Sequence, residues 1–327
     1  MSSRLTIVMY HYVRDLRRSR YPRIKGLDLE DFRGQLAFFE RHYNVIGAAE
    51  LLDAVKRDEP LPPRALLLTF DDGYMDHFTY VFPLLSERKW SACFFPVAET
   101  ATGSKVLDVN KIHFILAATE QPQKLVERVM QTVDKRRAEL NLDEPRQYWE
   151  RCSGDSRYDT PEVTFVKRML QRELPESLRA SLVDELFRDG VTADEAAFAQ
   201  ELYMSPAQLR CMIRFGMTVG NHGAGHYWMN KLSDAEQERE VNASLEFLRS
   251  LSIPERDWLM CYPYGGVDDR LQSLVARRGA SVGFATTVGI ADLRSDHALT
   301  LPRLDTNDLP KSATAAPNAW VEKAGAA

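Results

Sequence analysis

Cysteine is scarce in this sequence, and its placement excludes two kinds of site. The chain has four cysteines, and no two of them form the C-x-x-C pair on which zinc ribbons and thioredoxin-like redox motifs depend. Isolated thiols are typical of a reducing compartment, so we expect free cysteines rather than disulfides. They are Cys93, Cys152, Cys211 and Cys261.

Long apolar runs and long basic runs are also missing. Near the N-terminus only about six apolar residues precede the next charge, too few for a secretory signal or a membrane span. We therefore expect a cytoplasmic protein without an integral membrane segment. The 42 basic residues stand against 47 acidic ones, a net charge of −5, and no tract could follow a phosphate backbone, so no nucleic acid is expected. The densest basic stretch, residues 14–23, is either a solvated loop or a lip that attracts an anionic substrate.

Seven short apolar runs rich in Val, Ile, Leu and Phe are present, each bounded by polar or turn residues. Runs of this kind are typical of buried parallel strands. Most are separated by segments with helical spacing, such as 29–42 and 233–251, and this alternation predicts an α/β domain with a closed or nearly closed barrel. The runs are 5–10, 65–70, 92–97, 217–221, 257–263, 282–287 and 299–304.

The stretch from about residue 105 to 212 interrupts this rhythm. It has no convincing strand and predicts several helices, including 123–140, 164–172 and 175–187. We interpret it as a helical insertion, either a substrate-selecting lid or a packing element through which an oligomer is possible. From Lys311 onward, Ser, Ala, Thr, Pro and Gly predominate, which predicts a flexible tail.

Two adjacent carboxylates, Asp71 and Asp72, directly follow the second apolar run, in LLLTFDDGY. Catalytic groups of β/α barrels lie at such strand ends. Because consecutive residues leaving a strand point in different directions, one carboxylate can bind a metal while the other acts on water. An Asp-Gly turn is also common without any catalytic role, so this interpretation needs a partner motif.

His222 and His226 supply that partner in GNHGAGH, again after an apolar run. Two imidazoles at this spacing can face one metal ion, as in the H-E-x-x-H metalloproteases. Gly223 stands where those proteases need a glutamate base, which excludes the protease interpretation. Together with Asp72, the two histidines form the ligand set of a catalytic metal that keeps positions open for water and substrate. A further turn, CYPYGG at 261–266, offers backbone N–H groups for a developing oxyanion, although it is also an ordinary turn.

TFDDG, H-x-x-x-H and P-Y-G, in this order and each at a strand end, resemble the polysaccharide deacetylase family, also called the NodB homology or carbohydrate esterase 4 family. The resemblance covers residues 1–104 and 213–308. It implies a distorted (β/α)7 barrel built from 1–104 and 213–310, with the insertion at 105–212 and the tail at 311–327. It also implies a divalent metal, usually zinc, and hydrolysis of N-acyl groups on amino sugars.

The resemblance also assigns roles to individual residues. Asp71 would be the general base, and the metal would polarise the acyl carbonyl and activate water. The backbone N–H of Tyr264 would share the oxyanion with the metal. The metal ligands would be Asp72, His222 and His226.

Three positions depart from the family pattern. Gly223 replaces a common Ser or Thr, which removes a loop-stabilising hydrogen bond. Cys261 replaces an Arg that orients the base. Arg303, in LPRLD, stands where the family has the His of Leu-x-His, and an arginine cannot act as the general acid.

These departures leave two questions open in the sequence. The first is the role of Arg303, which would form an ion pair either with Asp71 or with Asp305, or would bind an anionic part of the substrate. The proton for the leaving amine would come from another group, and His11 and His297 are the candidates.

We expect the substrate to be an amino sugar carrying an acetyl or formyl group. Because no export signal is evident, we expect a nucleotide- or lipid-linked intermediate of a surface polysaccharide such as O-antigen. A catalytically silent glycan-binding or regulatory protein is the main alternative. A non-haem iron oxygenase would suit the same ligands, but such sites usually lie in all-β folds.

Overall fold

A computed structural model of the protein describes residues 3–154, 156 and 159–325. The chain divides into two compact units. The barrel unit comprises Met1–Arg17, Gly26–Lys105 and Ala199–Ala327, and the helical unit comprises Arg18–Lys25 and Val106–Phe198.

Seven parallel strands form the barrel, as the apolar runs and the family resemblance predicted. Following the hydrogen bonds, their order is β4-β3-β2-β1-β7-β6-β5. A parallel bridge between Asn221 and Met260 joins the two ends of this path, with Asn221 donating to Leu259 O at 2.8 Å. Neighbouring strands around the barrel are thus also consecutive in the chain, and β7 lies next to β1. They are β1 (Arg4–Tyr10), β2 (Ala65–Asp72), β3 (Cys93–Pro96), β4 (Thr218–Val219), β5 (Trp258–Cys261), β6 (Ala280–Val288) and β7 (Leu301–Asp305).

Short strands extend this framework. Asn44–Val45 lies parallel to β2, Ala291–Asp292 lies antiparallel to β1, and Val13–Arg14 pairs with Leu27–Asp28.

Strand β2 is buried along its whole length, which explains why Thr69 is its only polar residue before the two aspartates. Leu66 and Phe70 pack in the core cluster that contains Phe32 of the first helix. Leu67, which points to the opposite face of the strand, packs in a second cluster with Phe284 of β6. Both faces of the strand therefore need apolar side chains until the two carboxylates are reached.

The predicted helices are present where apolar residues recur three and four positions apart. In α1, the side chain of Asp28 caps the helix by accepting from Glu30 N, and Phe32, Leu36 and Phe39 are buried. The α-helices are α1 (Leu29–His42), α2 (Ala48–Arg57), α3 (Phe82–Glu87), α4 (Ala98–Thr102), α5 (Asp108–Ala118), α6 (Pro122–Leu140), α7 (Pro145–Cys152), α8 (Pro161–Arg168), α9 (Glu176–Gly190), α10 (Glu195–Leu202), α11 (Pro206–Arg214), α12 (Asp234–Ser250), α13 (Asp269–Arg277) and α14 (Ala319–Gly325).

The helical unit has a core of its own, in which Phe114 of α5 contacts Tyr21 and Phe198 edge-on. Lys111 is buried there and forms ion pairs with Asp184 and Glu195. In the described part of the chain, no helix is both long and apolar enough to cross a membrane.

Contacts of the basic stretch at 14–23 favour structural roles over a lip that attracts an anionic substrate. Arg20 lies over the rings of Tyr21 and Phe198, and Arg23 donates to Ala117 O at the end of α5. Arg14 donates to Asp76 at 2.7 Å. These guanidinium groups are thus engaged within the protein.

Two boundaries differ from those predicted. Helix α11, expected in the insertion at 105–212, belongs to the barrel unit, because Leu209 and Met212 pack in the barrel core just before β4. The tail expected to be flexible after 311 contains α14, whose Val321 is 1% exposed. The side-chain amide of Asn318 donates to Asp308 O and anchors the start of this helix. A short helix with buried apolar residues therefore forms although the composition of the tail is typical of a flexible segment.

Candidate active site

The two aspartates at the end of β2 diverge because the backbone turns sharply there. Asp72 and Gly73 both adopt left-handed conformations, with φ of 68° and 70°. A Cβ on Gly73 would lie 2.7 Å from Pro96 Cβ, so this turn requires glycine. As a result, Asp71 points towards Arg303 and Asp72 towards the two histidines.

Asp72, His222 and His226 converge as the sequence predicted. Nε2 of His222 and Nε2 of His226 lie 3.3 Å and 3.2 Å from Asp72 Oδ1. That oxygen is buried and accepts no hydrogen bond from the described residues. A buried carboxylate oxygen without a donor is costly unless a cation satisfies it. The donor set, two imidazoles and one carboxylate, therefore fits a divalent metal.

Neighbouring groups orient these three side chains. Nδ1 of His222 lies 2.7 Å from Cys261 O, which leaves Nε2 towards Asp72. The Tyr74 hydroxyl donates to Asp72 Oδ2 at 2.5 Å. Burial raises the pKa of Asp72, but the imidazoles of His222 and His226 outweigh it and hold that pKa well below its usual range. Such second contacts fix the direction of metal ligands.

The loop between the two histidines is held by Glu240 of α12. Its Oε2 accepts from Ala224 N at 3.0 Å and from Gly225 N at 2.9 Å. Gly223 N donates to the side chain of Asn221 at 2.9 Å. These bonds stabilise the loop although Gly223 lacks the hydroxyl that the family commonly has at this position.

Arg303 pairs with Asp71, which was one of the three partners that the sequence left open for this arginine. Nη1 and Nη2 of Arg303 donate to Oδ1 and Oδ2 of Asp71, each at 2.9 Å. The Cys261 thiol lies 3.4 Å from Asp71 Oδ1. Burial raises the pKa of Asp71, but the charge of Arg303, followed by His222 and His11, lowers it to about 2. Asp305 instead accepts from Asn307 N at the start of a 3-10 turn.

Only one of the two candidate acids lies beside Asp71. His11 Nε2 is 4.0 Å from Asp71 Oδ2, and 44% of its side chain is exposed. Its carbonyl accepts from the buried His77 Nε2 at 2.8 Å. His297 instead begins the turn Ala298–Thr300, where its Nδ1 accepts from Leu299 N, so its contacts are those of a structural cap.

Tyr264 lies in the turn Pro263–Gly265 with φ of 57°. Its ring contacts His226 edge-on, with centroids 4.6 Å apart. The side chain of the residue predicted to supply the oxyanion N–H thus contacts a predicted metal ligand.

Tyr74, His77 and Glu240 were missed in the sequence. Tyr74 directly follows the D-D-G motif, and that adjacency was a usable signal. Glu240 lies on a helix that was predicted correctly, but its contact with the histidine loop is purely tertiary.

Comparisons with known proteins agree with the fold and the motifs. A sequence model described as polysaccharide deacetylase matches residues 58–132 and 174–283, and thus extends into the helical region on both sides. Over 91 residues, the chain is 34% identical to the poly-beta-1,6-N-acetyl-D-glucosamine N-deacetylase of Escherichia coli K12. That alignment spans 28% of this chain and only 13% of the relative.

Two solved structures share the fold. The Streptococcus pyogenes deacetylase PplD, in complex with acetate, has a TM-score of 0.56 at 15% identity, with 93% of each chain covered. IcaB from Ammonifex degensii has a TM-score of 0.56 at 17% identity, with 99% of this chain and 97% of IcaB covered. Since the family model matches more than half of the sequence, the chain belongs to the polysaccharide deacetylase family.

Proposed function

We propose that this protein is a metal-dependent hydrolase that removes an N-acyl group from an amino sugar. The observation that carries the proposal is the convergence of Asp72, His222 and His226 on one buried, unsatisfied oxygen. Donor atoms of Asp71 and His222 lie within 4.8 Å of each other, so a group able to take a proton adjoins the metal ligands. Family membership supports amide hydrolysis on a glycan.

When bound, a divalent cation would supply Lewis-acid chemistry, polarising the acyl carbonyl and making the attacking water more acidic. We propose Zn²⁺, since two imidazoles and one carboxylate are a common ligand set of catalytic zinc.

The protein's own residues account for the proton transfers. Asp71 takes a proton from the attacking water, and the two bonds from Arg303 hold its carboxylate in place while it does so. Tyr264 contributes its backbone N–H to the developing oxyanion. His11, partly exposed and 4.0 Å from Asp71, donates a proton to the leaving amine. Arg303 cannot do this, because its guanidinium stays protonated.

The amino sugar could be part of either of two kinds of substrate, a linked biosynthetic intermediate or a glycan polymer. A nucleotide- or lipid-linked intermediate follows from the expected cytoplasmic location. A glycan polymer is favoured by the name of the Escherichia coli relative, which includes poly-beta-1,6-N-acetyl-D-glucosamine. We propose the glycan chain as the first substrate to test and the linked intermediates as the second.

The test is a release assay with matched protein samples. Zinc-loaded protein is incubated with N-acetyl and N-formyl amino sugars as oligosaccharides and as nucleotide- and lipid-linked forms, and released acetate or formate is measured. Asp71→Asn is the control, because it keeps the shape of the side chain and removes the base. Release that depends on Asp71 is expected. Bound metal with no release across the panel would instead favour a glycan-binding or regulatory protein.

A further inference from the structure

Two aromatic side chains, Tyr227 and Trp228, directly follow the metal-ligand candidate His226 and remain exposed. Tyr227 is 46% exposed and Trp228 43% exposed. Among the described residues, they are two of the four large apolar side chains that are exposed to solvent. Large exposed aromatics next to a reactive centre indicate a binding surface rather than core packing.

Ring contacts connect Trp228 to the metal-ligand candidates through Tyr264. Trp228 stacks on Tyr264, with centroids 4.6 Å apart and planes 7° from parallel. Tyr264 in turn contacts His226, again with centroids 4.6 Å apart. We call Tyr227, Trp228 and Tyr264 the aromatic platform. It is separated from the metal ligands by a single ring contact.

The backbone is built to hold this platform. His226 and Tyr264 have φ of 59° and 57°, a conformation that residues with a Cβ seldom adopt. A Cβ on Gly225 would lie 2.4 Å from Tyr227 Cε2, so the Tyr227 ring lies directly against bare glycine backbone. Gly225 N is itself bonded to Glu240. The platform is therefore anchored at both of its turns.

We propose that the aromatic platform is a subsite for a sugar ring of the glycan chain, next to the ring that carries the acyl group. This inference rests on the proposed function and names the form of its substrate. A pyranose ring presents C–H groups on its face, and these pack favourably on the electron-rich face of an aromatic ring. The hydroxyl groups at its edge remain in water, which suits a platform that is half-exposed.

The distance to the metal ligands favours a sugar over a nucleobase. The platform begins one ring contact from His226, as expected for the sugar unit adjoining the reacting one. In a nucleotide-linked amino sugar, a ribose and two phosphates separate the base from the reacting sugar. The nucleobase would therefore lie beyond the aromatic platform.

The first experiment compares substrate length in variants of Trp228. We measure kcat/KM for an N-acetylglucosamine tetrasaccharide and for the methyl glycoside of the monosaccharide, and take their ratio. Trp228→Ala should lower this ratio roughly tenfold, mainly through a higher KM, since one stacking contact is lost. Trp228→Phe keeps a ring and should retain most of the ratio. Phe215→Ala, at an aromatic residue that is 68% exposed, is the matched control and should leave the ratio unchanged.

The second experiment separates failure of this inference from failure of the proposed function. Binding of the tetrasaccharide and of a nucleoside-diphosphate amino sugar to Asp71→Asn protein is measured by calorimetry, with and without Trp228→Ala. Weaker tetrasaccharide binding in the double variant supports the subsite, even if the wild type releases no acyl group. An unchanged length ratio and unchanged tetrasaccharide binding, or a loss confined to the nucleotide-linked sugar, would overturn the inference. Circular dichroism confirms that each variant is folded.

Discussion

Arg303 and Asp71 are joined by two parallel hydrogen bonds of 2.9 Å, and their side chains are only 1% and 3% exposed. Paired charges of this kind tolerate burial because each satisfies the other, and a bidentate geometry also fixes the direction of the carboxylate. The guanidinium donates further to Ala285 O and Thr69 Oγ1. Four hydrogen bonds from the guanidinium therefore hold the carboxylate of Asp71, the proposed base, in place.

Replacing Arg303 should damage both stability and turnover. Arg303→Met would leave Asp71 buried without its partner and should lower the free energy of unfolding by about 3 to 5 kcal/mol. Arg303→Lys keeps a charge but cannot make two parallel bonds, so it should lower kcat with a smaller loss of stability. Denaturant titrations and initial rates measure these effects. Arg249→Met, which breaks the exposed pair with Glu255, is the control and should change stability by less than about 0.5 kcal/mol. Equal unfolding midpoints for Arg303→Met and wild type would contradict this account.

His11→Ala should slow amide hydrolysis while sparing substrates whose leaving group needs no proton. We expect kcat for an N-acetyl amino sugar to fall by roughly 10² to 10⁴. An activated aryl acetate should be hydrolysed at close to the wild-type rate, because its leaving group departs as a stable anion. His297→Ala is the matched control, since its imidazole caps a turn. Wild-type turnover of the amide by His11→Ala would remove His11 from the acid role.

Metal removal should abolish the proposed activity and reduce stability. After dialysis against a chelator, added Zn²⁺ should restore turnover with one ion per chain. It should also stabilise the folded protein by about 2.7 kcal/mol at a concentration one hundred times the Kd. Elemental analysis and thermal unfolding with and without Zn²⁺ provide the readouts. Asp72→Asn and His226→Ala should lose the thermal shift, whereas His297→Ala should keep it. A shift retained in Asp72→Asn would place the ion elsewhere.

Glu240→Gln should weaken metal binding although Glu240 is not a predicted ligand. Its carboxylate accepts from two amides of the histidine loop, and loss of such outer contacts typically costs about 10- to 100-fold in metal affinity. Zinc titration with a competing chelator measures the change in Kd. Glu246→Gln, at an exposed position of the same helix, should leave the Kd unchanged. Equal affinities for the two variants would show that the loop needs no anchor.

His77 should make the folded protein sensitive to acid. Burial lowers the pKa of His77 to about 4, so below the ordinary histidine pKa protons bind preferentially to the unfolded chain. As a result, neutral His77 favours the folded state fully above about pH 6.5. As the pH falls towards 4, the free energy of unfolding decreases by at most about 3 kcal/mol. His77→Gln retains a donor for His11 O and lacks the titration. Between pH 7 and pH 4, the free energy of unfolding should therefore fall further in the wild type than in His77→Gln. Parallel pH dependence would show that His77 is not the source.

Much of the fold was predictable because its signals are local. Short apolar runs such as 65–70, bounded by turn and polar residues, are typical of strands buried on both faces, and the spacing in 29–42 is typical of an amphipathic helix. The helix at 319–325 was missed, because composition averaged over the tail hides one turn whose Val321 and Ala324 are buried. The boundary of the helical unit was also misplaced, since α11 is helical in sequence but packs in the barrel core.

The candidate site was predictable only in part, for a physical reason. Parallel strands in a barrel bring their carboxyl ends together, so D-D-G and H-x-x-x-H were expected to meet once each was assigned to a strand end. Side-chain partners are different, since they depend on directions that no local pattern encodes. Asp71 and Asp305 were equally available to Arg303 in the sequence, and Glu240 gave no sign that it reaches the loop at 223–225.

The sequence alone therefore determined the order of strands and helices along the chain and singled out Asp72, His222 and His226 as candidate metal ligands, because these follow from periodicity and from motifs placed at strand ends. Tertiary structure decided how the site is completed. Closure of the barrel brings Arg303 of β7 to Asp71 of β2, and the sharp turn at Asp72 and Gly73 sends the two aspartates to different partners. These relationships join residues far apart in the chain through packing of the whole barrel unit, and such packing leaves no trace in any short stretch of sequence.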